Sequence, residues 1–261
     1  MVVGGGVAGM EAARIAKMRG HNVTVYEASN ALGGVIIPGS VPDFKLDDRR
    51  LISWYRNEMK RLNINVALNT KVTEELVDKE KPDIVIIATG AKEIKLSLPG
   101  IEKDKVASAV ELLNGTKKAG KNVLMVGGGL VGCETALYLA QSGKNVTIVE
   151  AKENILSTGK PVPHMNKIML IDLLKKYNVK VITNNSLLSV TDEGAVLIDN
   201  KFKQQNVQAD TVAIAVGFKS NNELYNKLHG KVTDLYLIGD AYQAANIMDA
   251  IWSGNEVGLN C

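Results

Sequence analysis

Two short runs have the residue types that bind phosphate through backbone alone. Met1-Val2-Val3-Gly4-Gly5-Gly6-Val7-Ala8-Gly9 opens the chain, and Leu124-Met125-Val126-Gly127-Gly128-Gly129-Leu130-Val131-Gly132 repeats its layout 123 residues on. Gly4, Gly6 and Gly9, and likewise Gly127, Gly129 and Gly132, fit a GxGxxG turn between a strand and a helix. The first glycine permits the tight turn, the second lets backbone approach a pyrophosphate, and the third lets helix and strand pack closely. The helix that follows offers unpaired N–H groups and a positive dipole end to the anion. The register continues without a gap: Glu11 falls on Glu134, Ala13 on Ala136, Gly20 on Gly143, Asn22-Val23-Thr24 on Asn145-Val146-Thr147, and Glu27-Ala28 on Glu150-Ala151. Two such turns predict two nucleotides on one chain.

Each turn also has its acid, Glu27 or Glu150, 18 residues after the third glycine. A carboxylate there can accept both ribose hydroxyls of an adenosine half; an exposed glutamate beyond a glycine-rich turn is the plainer alternative. Glu150 favours a free ribose diol and repels a 2′-phosphate. The close cation Lys152 is a poor substitute for an arginine fork, so NADH is predicted over NADPH. Three further places suit a ligand: Gly33-Gly34, where an ordinary turn fits equally well, Thr89-Gly90 after an apolar run, and Gly239-Asp240, whose acid suits a ribose or ribityl hydroxyl, a generic sheet-edge Gly-Asp being the plainer alternative. Cys133 lies early in the second helix, where the dipole can stabilise a thiolate. With no His or Cys nearby in sequence, it reads as a small packing residue. Glu134 either approaches a nicotinamide or satisfies the helix N-terminus. His164 reads as a loop residue. No catalytic side chain and no metal-ligand set is assigned.

The elements that position these residues follow from periodicity. Apolar Met10, Ala13, Ile15, Ala16 and Met18 predict a helix over Ala8–Arg19, stopped by Gly20. His21–Glu27 reads as a strand, Arg49–Leu62 as an amphipathic helix, and Asn65–Leu68 and the region of Val72 as short strands. Ile84–Ala88 reads as a buried parallel strand. Ala91–Lys121 is predicted to be a crossover, periodic only over Ala107–Leu113. A second strand–helix–strand unit follows (Val123–Val126, Val131–Gln141, Val146–Val149), then a helix over Met165–Lys176, a strand over Val179–Ile182 and hairpin-like pieces through Asn206. Thr211–Gly217 mirrors Ile84–Gly90. Leu235–Ile238 reads as a strand, and a helix begins over Ala245–Trp252.

At 261 residues the chain is long enough for one large or two modest domains. Its net charge of +3 is spread out, with no basic run interleaved with aromatics, so nucleic acid is not a predicted partner. Two cysteines, Cys133 and Cys261, exclude a disulfide framework, a zinc finger or a CxxC pair within this chain. No apolar run approaches the ~18 residues of a membrane span and no signal peptide precedes the first turn, so the prediction is a cytoplasmic protein without membrane partners. Only three residues precede Gly4, and Gly254–Cys261 trails off after a helical beginning. A piece of a longer chain is expected.

Gly4–Gly9 with Glu27, Ala88-Thr89-Gly90, Gly127–Gly132 with Glu150, and Ile238-Gly239-Asp240, in that order, resemble the two-dinucleotide-binding-domain flavoprotein reductases. The resemblance covers nearly the whole chain. It implies an α/β fold of two Rossmann-like dinucleotide-binding domains, the second inserted into the first as in glutathione reductase: 1–104 and 224–261 for FAD, 105–223 for NAD(H). Leu32-Gly33-Gly34, Pro42-Asp43-Phe44-Lys45 and Leu130–Ala136 are most similar to one branch, the C-terminal region of Old Yellow Enzyme-like NADH:flavin oxidoreductases. These include 2-enoate reductase, 2,4-dienoyl-CoA reductase and the bile-acid-inducible flavin oxidoreductases. The resemblance implies FAD contacts from Gly4, Gly6, Gly9, Glu27, Gly34, Val72 (through its backbone, near the adenine), Thr89 and Asp240, with Ile247 near the flavin ring. It implies NADH contacts from Gly127, Gly129, Gly132 and Glu150. It further implies hydride transfer from NADH to FAD, and an upstream FMN barrel and 4Fe–4S cluster that pass electrons to an enoate-type substrate. Two alternatives stay open. One is a reductase like the small subunit of glutamate synthase, which has a similar Pro-Asp-Phe-Lys-Leu stretch. The other is a docking module that binds nucleotide without turnover. A thioredoxin-reductase type would need the CxxC that this chain lacks.

Overall fold

The structure is a computed structural model describing residues 1–261. The chain forms two compact units, Met1–Lys92 with Phe218–Cys261, and Glu93–Gly217. In order, the first contains β1 (Val2–Val3), α1 (Val7–Met18), β2 (Thr24–Tyr26), α2 (Ile36–Gly39), α3 (Leu46–Arg61), β3 (Asn65–Ala67), α4 (Glu74–Glu80), β4 (Ile84–Ile87) and, at its boundary, β5 (Ala91–Glu93). The second contains β6 (Val106–Ser108), α5 (Ala109–Asn114), β7 (Asn122–Val126), α6 (Leu130–Gln141), β8 (Asn145–Val149), α7 (His164–Lys176), β9 (Lys180–Ile182), β10 (Asn185–Val190), β11 (Gly194–Asp199), β12 (Gln204–Gln208) and β13 (Thr211–Ile214). The chain then returns to the first through β14 (Phe218–Ser220), α8 (Glu223–Leu228), β15 (Asp234–Leu237) and α9 (Ile247–Asn260).

The first unit is built on a parallel sheet of order β15-β4-β1-β2-β3. Side chains alternate across it, as a pleated strand requires. Ile86 joins the core with α1, α3 and α9, while Val85 and Ile87 join the opposite core with Val72, Val77 and Leu228. β1 starts the chain yet lies in the middle of the sheet, between β4 and β2. Its neighbours are reached in opposite directions, and ligands of open α/β sheets bind in the crevice at such a switch point.

The second unit repeats the plan, with a parallel sheet of order β6-β13-β7-β8-β9. Val123 and Met125 face the core of α5, α6 and α7, and Leu124 and Val126 face the other side. That side is covered by the antiparallel meander β10-β11-β12 through Leu187, Val190, Ala195 and Leu197. No helix is long and apolar enough to cross a membrane.

Four features differ from the sequence reading. The unit boundaries fall at 92/93 and 217/218 rather than 104/105 and 223/224, because Leu96, Leu98 and Ile101 pack into the core of the second unit. The crossover supplies an edge strand, β6, paired with β13. Val72 is not in a strand; it buries its side chain just ahead of α4. The last helix does not trail off at Gly254. Capped by Asn246, whose Oδ1 accepts from Asp249 N at 2.9 Å, it runs to Asn260. Its two glycines let it lie against α1, since a Cβ on Gly254 would fall 2.4 Å from Ala8 O and one on Gly258 2.7 Å from Ile15 Cβ.

Candidate functional site

The two glycine turns have the same geometry. Gly4 has φ +109° and Gly127 φ +108°; a Cβ on either would fall within 2.3 Å of the carbonyl oxygen of Ala88 or Ala215 at the end of the neighbouring strand. A Cβ on Gly9 or Gly132 would strike the carbonyl of Gly4 or Gly127 at 2.0 Å. Around Gly6 the same construction meets nothing within 4 Å, so the middle of the first turn is open to a ligand.

Three of the nine α-helices, α4, α5 and α9, start under a side-chain cap, and α1 and α6 are among the six that do not. α4 begins under the Thr73 hydroxyl, and α5 under a reciprocal Ser108–Glu111 capping box. α1 and α6 begin instead at Gly6 and Gly129, extended (φ −72° and −71°) and with no side-chain cap. The first N–H groups of a helix need acceptors. Here an anion at the turn can supply them, as a pyrophosphate does. These residues therefore fit a dinucleotide in both turns.

The acids are held in place by the chain itself. Glu27 Oε2 accepts from Gly5 N and its Oε1 from Ser29 N, both at 2.7 Å. Glu150 Oε2 accepts from Gly128 N at 2.6 Å and its Oε1 from Lys152 N at 2.9 Å. Each carboxylate oxygen has a second lone pair, so both acids remain able to receive a ribose diol while fixed in orientation. The repeat extends beyond Glu27 and Glu150. Gly33 N donates to Gly5 O at 2.8 Å, and its counterpart Leu156 N to Gly128 O at 2.7 Å.

Most residues expected to contact the first nucleotide come together. A Cβ on Gly34 would lie 3.2 Å from Gly6 Cα, Thr89 N is 3.2 Å from the Cβ position of Gly4, and Gly239 abuts Ala8 on the first turn of α1. The Thr89 hydroxyl donates to Asn221 O at 2.6 Å, which occupies its proton within the unit. Asp240 Oδ1 accepts from Ala245 N at 3.0 Å; burial pushes its carboxyl above the ordinary range, and the charge of Asp249 adds to this. Val72 is buried on the face of the sheet away from α1, and Ile247 packs at the start of α9 in the α1 core.

Cys133 is fully buried, and its thiol donates to Gly128 O at 3.4 Å. Burial, then the negative charges of Glu150 and Glu134, push the thiol up to about 12. It packs in the core of the second unit. His164 is not in a loop but is the exposed first residue of α7. No group of three or more His, Cys, Asp or Glu side chains is arranged to hold a metal.

Two groups were missed in the sequence. Arg56, on α3, donates from Nε to Leu32 O at 2.9 Å and from Nη2 to the same oxygen. Glu11, buried on α1, pairs with Arg14 at 2.9 Å and accepts from Tyr55 Oη at 3.2 Å and Asn255 Nδ2 at 3.0 Å. The echo of Glu11 at Glu134 was the available signal for the second; a lone arginine on an amphipathic helix offered none for the first.

Comparison with known proteins bears on the whole chain. The model of the pyridine nucleotide-disulphide oxidoreductase family matches residues 1–254. Cinnamate reductase of Clostridium sporogenes is 46% identical over 260 residues, covering 100% of this chain and 39% of that protein. NADH oxidase of Thermoanaerobacter brockii is 34% identical, covering 98% of this chain and 40% of its own length. The chain thus spans about two fifths of the length of these curated relatives. Among solved structures, a 2-naphthoyl-CoA reductase superimposes with TM-score 0.92 at 31% identity, over 100% of this chain and 39% of that one. Thioredoxin reductase of T. acidophilum, at 20% identity, TM-score 0.78 and 99% and 95% coverage, shares the fold.

Proposed function

Because the chain belongs to the pyridine nucleotide-disulphide oxidoreductase family, we propose that it is an NADH-dependent flavin oxidoreductase module. In this reading the Met1–Lys92 and Phe218–Cys261 unit holds FAD and the Glu93–Gly217 unit holds NADH. The observation that carries it is the duplicated turn, with glycines packed against the same backbone carbonyls, extended glycine helix starts and pinned acids in both copies. When both are bound, the nicotinamide and flavin rings supply the hydride chemistry, and the protein supplies binding and alignment.

The backbone of Gly4, Gly6 and Gly9 receives the FAD pyrophosphate, and Glu27 receives the adenosine ribose. Gly34 and Thr89 line the turn with backbone, and Asp240 accepts from flavin-side hydroxyls. Val72 serves the adenine end through its backbone and Ile247 the flavin end. Gly127, Gly129, Gly132 and Glu150 do the corresponding work for NADH. Preference for NADH is supported by composition as well as by Glu150. All six arginines lie between Arg14 and Arg61, so the Glu93–Gly217 unit has none to grip a 2′-phosphate. The similarity to cinnamate reductase and 2-naphthoyl-CoA reductase, each more than twice as long, supports a barrel with FMN and an iron–sulfur cluster as the electron acceptor, and an enoate-type substrate.

The test is to add FAD and then NADH to the purified chain without oxygen and follow flavin absorbance. Bleaching at stoichiometric NADH is expected. A chain that binds FAD but is not bleached is a docking module, and the reductase reading fails.

A further inference from the structure

The peptide between Leu32 and Gly33 is held at both ends. Its oxygen accepts two hydrogen bonds from the Arg56 guanidinium, one from Nε at 2.9 Å. Its N–H, on Gly33, donates to Gly5 O at 2.8 Å. Gly5 O belongs to the peptide joining Gly5 to Gly6. Peptide units are planar, and none in this chain is cis. Fixing Gly5 O therefore fixes the Gly6 N–H in the opposite direction, away from the Leu32–Gly33 peptide. Two peptide planes in series thus connect a half-buried cation on α3 to the second glycine of the phosphate turn.

We infer that Arg56 is a positioning residue for the first nucleotide site, orienting the Gly6 N–H toward the pyrophosphate through the Leu32–Gly33 peptide. This rests on the reading of that site as the FAD site. Hydrogen bonds in a chain polarise one another, so the guanidinium also strengthens Gly6 as a donor. Leu32 is 8% exposed and its side chain lies against Gly5, so the relay is shielded from water. The second turn has the counterpart bond, Leu156 N to Gly128 O, but α7, the helix in the place of α3, contains no arginine. The latch belongs to one nucleotide only.

The experiment compares the full chain with Arg56→Met and Arg56→Lys. It reads FAD affinity by flavin fluorescence, NADH affinity by nicotinamide fluorescence, and hydrogen exchange of the Gly33 amide without nucleotide. Arg56→Met is expected to weaken FAD about tenfold or more, the worth of a charge-assisted hydrogen bond. NADH affinity stays unchanged and Gly33 exchange accelerates; Arg56→Lys, with charge but one donor site, recovers part of the loss. Unchanged FAD affinity overturns the inference even if Gly33 exchanges faster. Equal loss of both nucleotides overturns it too, by showing general destabilisation. If Arg56→Met is unfolded by circular dichroism, Arg56→Lys decides by the same criteria. Failure of the unmodified chain to bind FAD overturns the functional reading instead, and Gly33 exchange then still decides whether Arg56 holds the peptide.

Discussion

Cys133 shows two effects competing at one residue. A helix start lowers a thiol's pKa, while burial raises it. Burial wins here, by pushing the thiol to about 12. At pH 8 the native protein should therefore yield at most one thiol to Ellman's reagent, the half-buried Cys261, and two after unfolding. A second fast-reacting thiol in the native state would contradict the burial argument. Asp240 gives a prediction of opposite practical sense. Its carboxyl is raised by burial, so it takes up a proton at higher pH than an ordinary aspartate, which titrates near about 3.9. Protonation removes its capacity to accept from two hydroxyls. FAD affinity should thus fall on acidification above that ordinary value, and Asp240→Asn should flatten this part of the profile. At this scale the chemistry was readable wherever it depends on backbone and local spacing, as in both GxGxxG turns. Arg56 was not readable, because its bond joins residues 24 apart and leaves no local pattern.

Between elements, α1 is the piece that α3 and α9 hold in place. Glu11 lies at that junction, joining Arg14 on its own helix to Tyr55 on α3 and Asn255 on α9. Burial pushes its carboxyl up, but the hydrogen bonds from Arg14, Asn255 and Tyr55 outweigh this and hold it below the ordinary value. A depressed carboxyl contributes stability above its unfolded pKa and loses it as pH falls through the folded one. Glu11→Gln should therefore cost about 2–3 kcal/mol at pH 7 in urea unfolding. The deficit should shrink below about pH 4, where the unfolded glutamate takes up a proton while the folded one is still ionised, and vanish below the folded pKa. A pH-independent deficit would show that packing, not charge, holds the junction. Gly254→Val should destabilise by about 1–3 kcal/mol through overpacking against Ala8 O. Gly39→Ala, where a Cβ meets nothing within 4 Å, should be close to neutral and serves as the control. The length of α9 was not legible in the sequence for a physical reason. Gly254 and Gly258 read as helix breakers by propensity, whereas close approach to α1 requires them. The region of Val72 was lost in the converse way, since a buried apolar residue ahead of α4 looks like a strand when its neighbours in space are unknown.

Across the whole molecule, the repeat visible in the sequence corresponds to two sheets in which β4-β1-β2-β3 and β13-β7-β8-β9 match, each with the strand of its glycine turn, β1 or β7, beside the switch point. What stayed hidden was where one unit gives way to the other, because Leu96, Leu98 and Ile101 look like linker until the core they join is known. In the proposed function two equivalent turns hold different nucleotides, so one methyl group should separate them. Gly4→Ala and Gly127→Ala each place a Cβ within 2.3 Å of a carbonyl oxygen at a φ near +109°. The most direct measurement is the oxygen-free NADH titration of FAD absorbance in Gly127→Ala beside the unmodified chain. Gly127→Ala is expected to retain FAD and to resist bleaching by NADH concentrations that bleach the unmodified chain completely. Full bleaching in the variant, or loss of FAD from it, would contradict the assignment of two nucleotides to two turns.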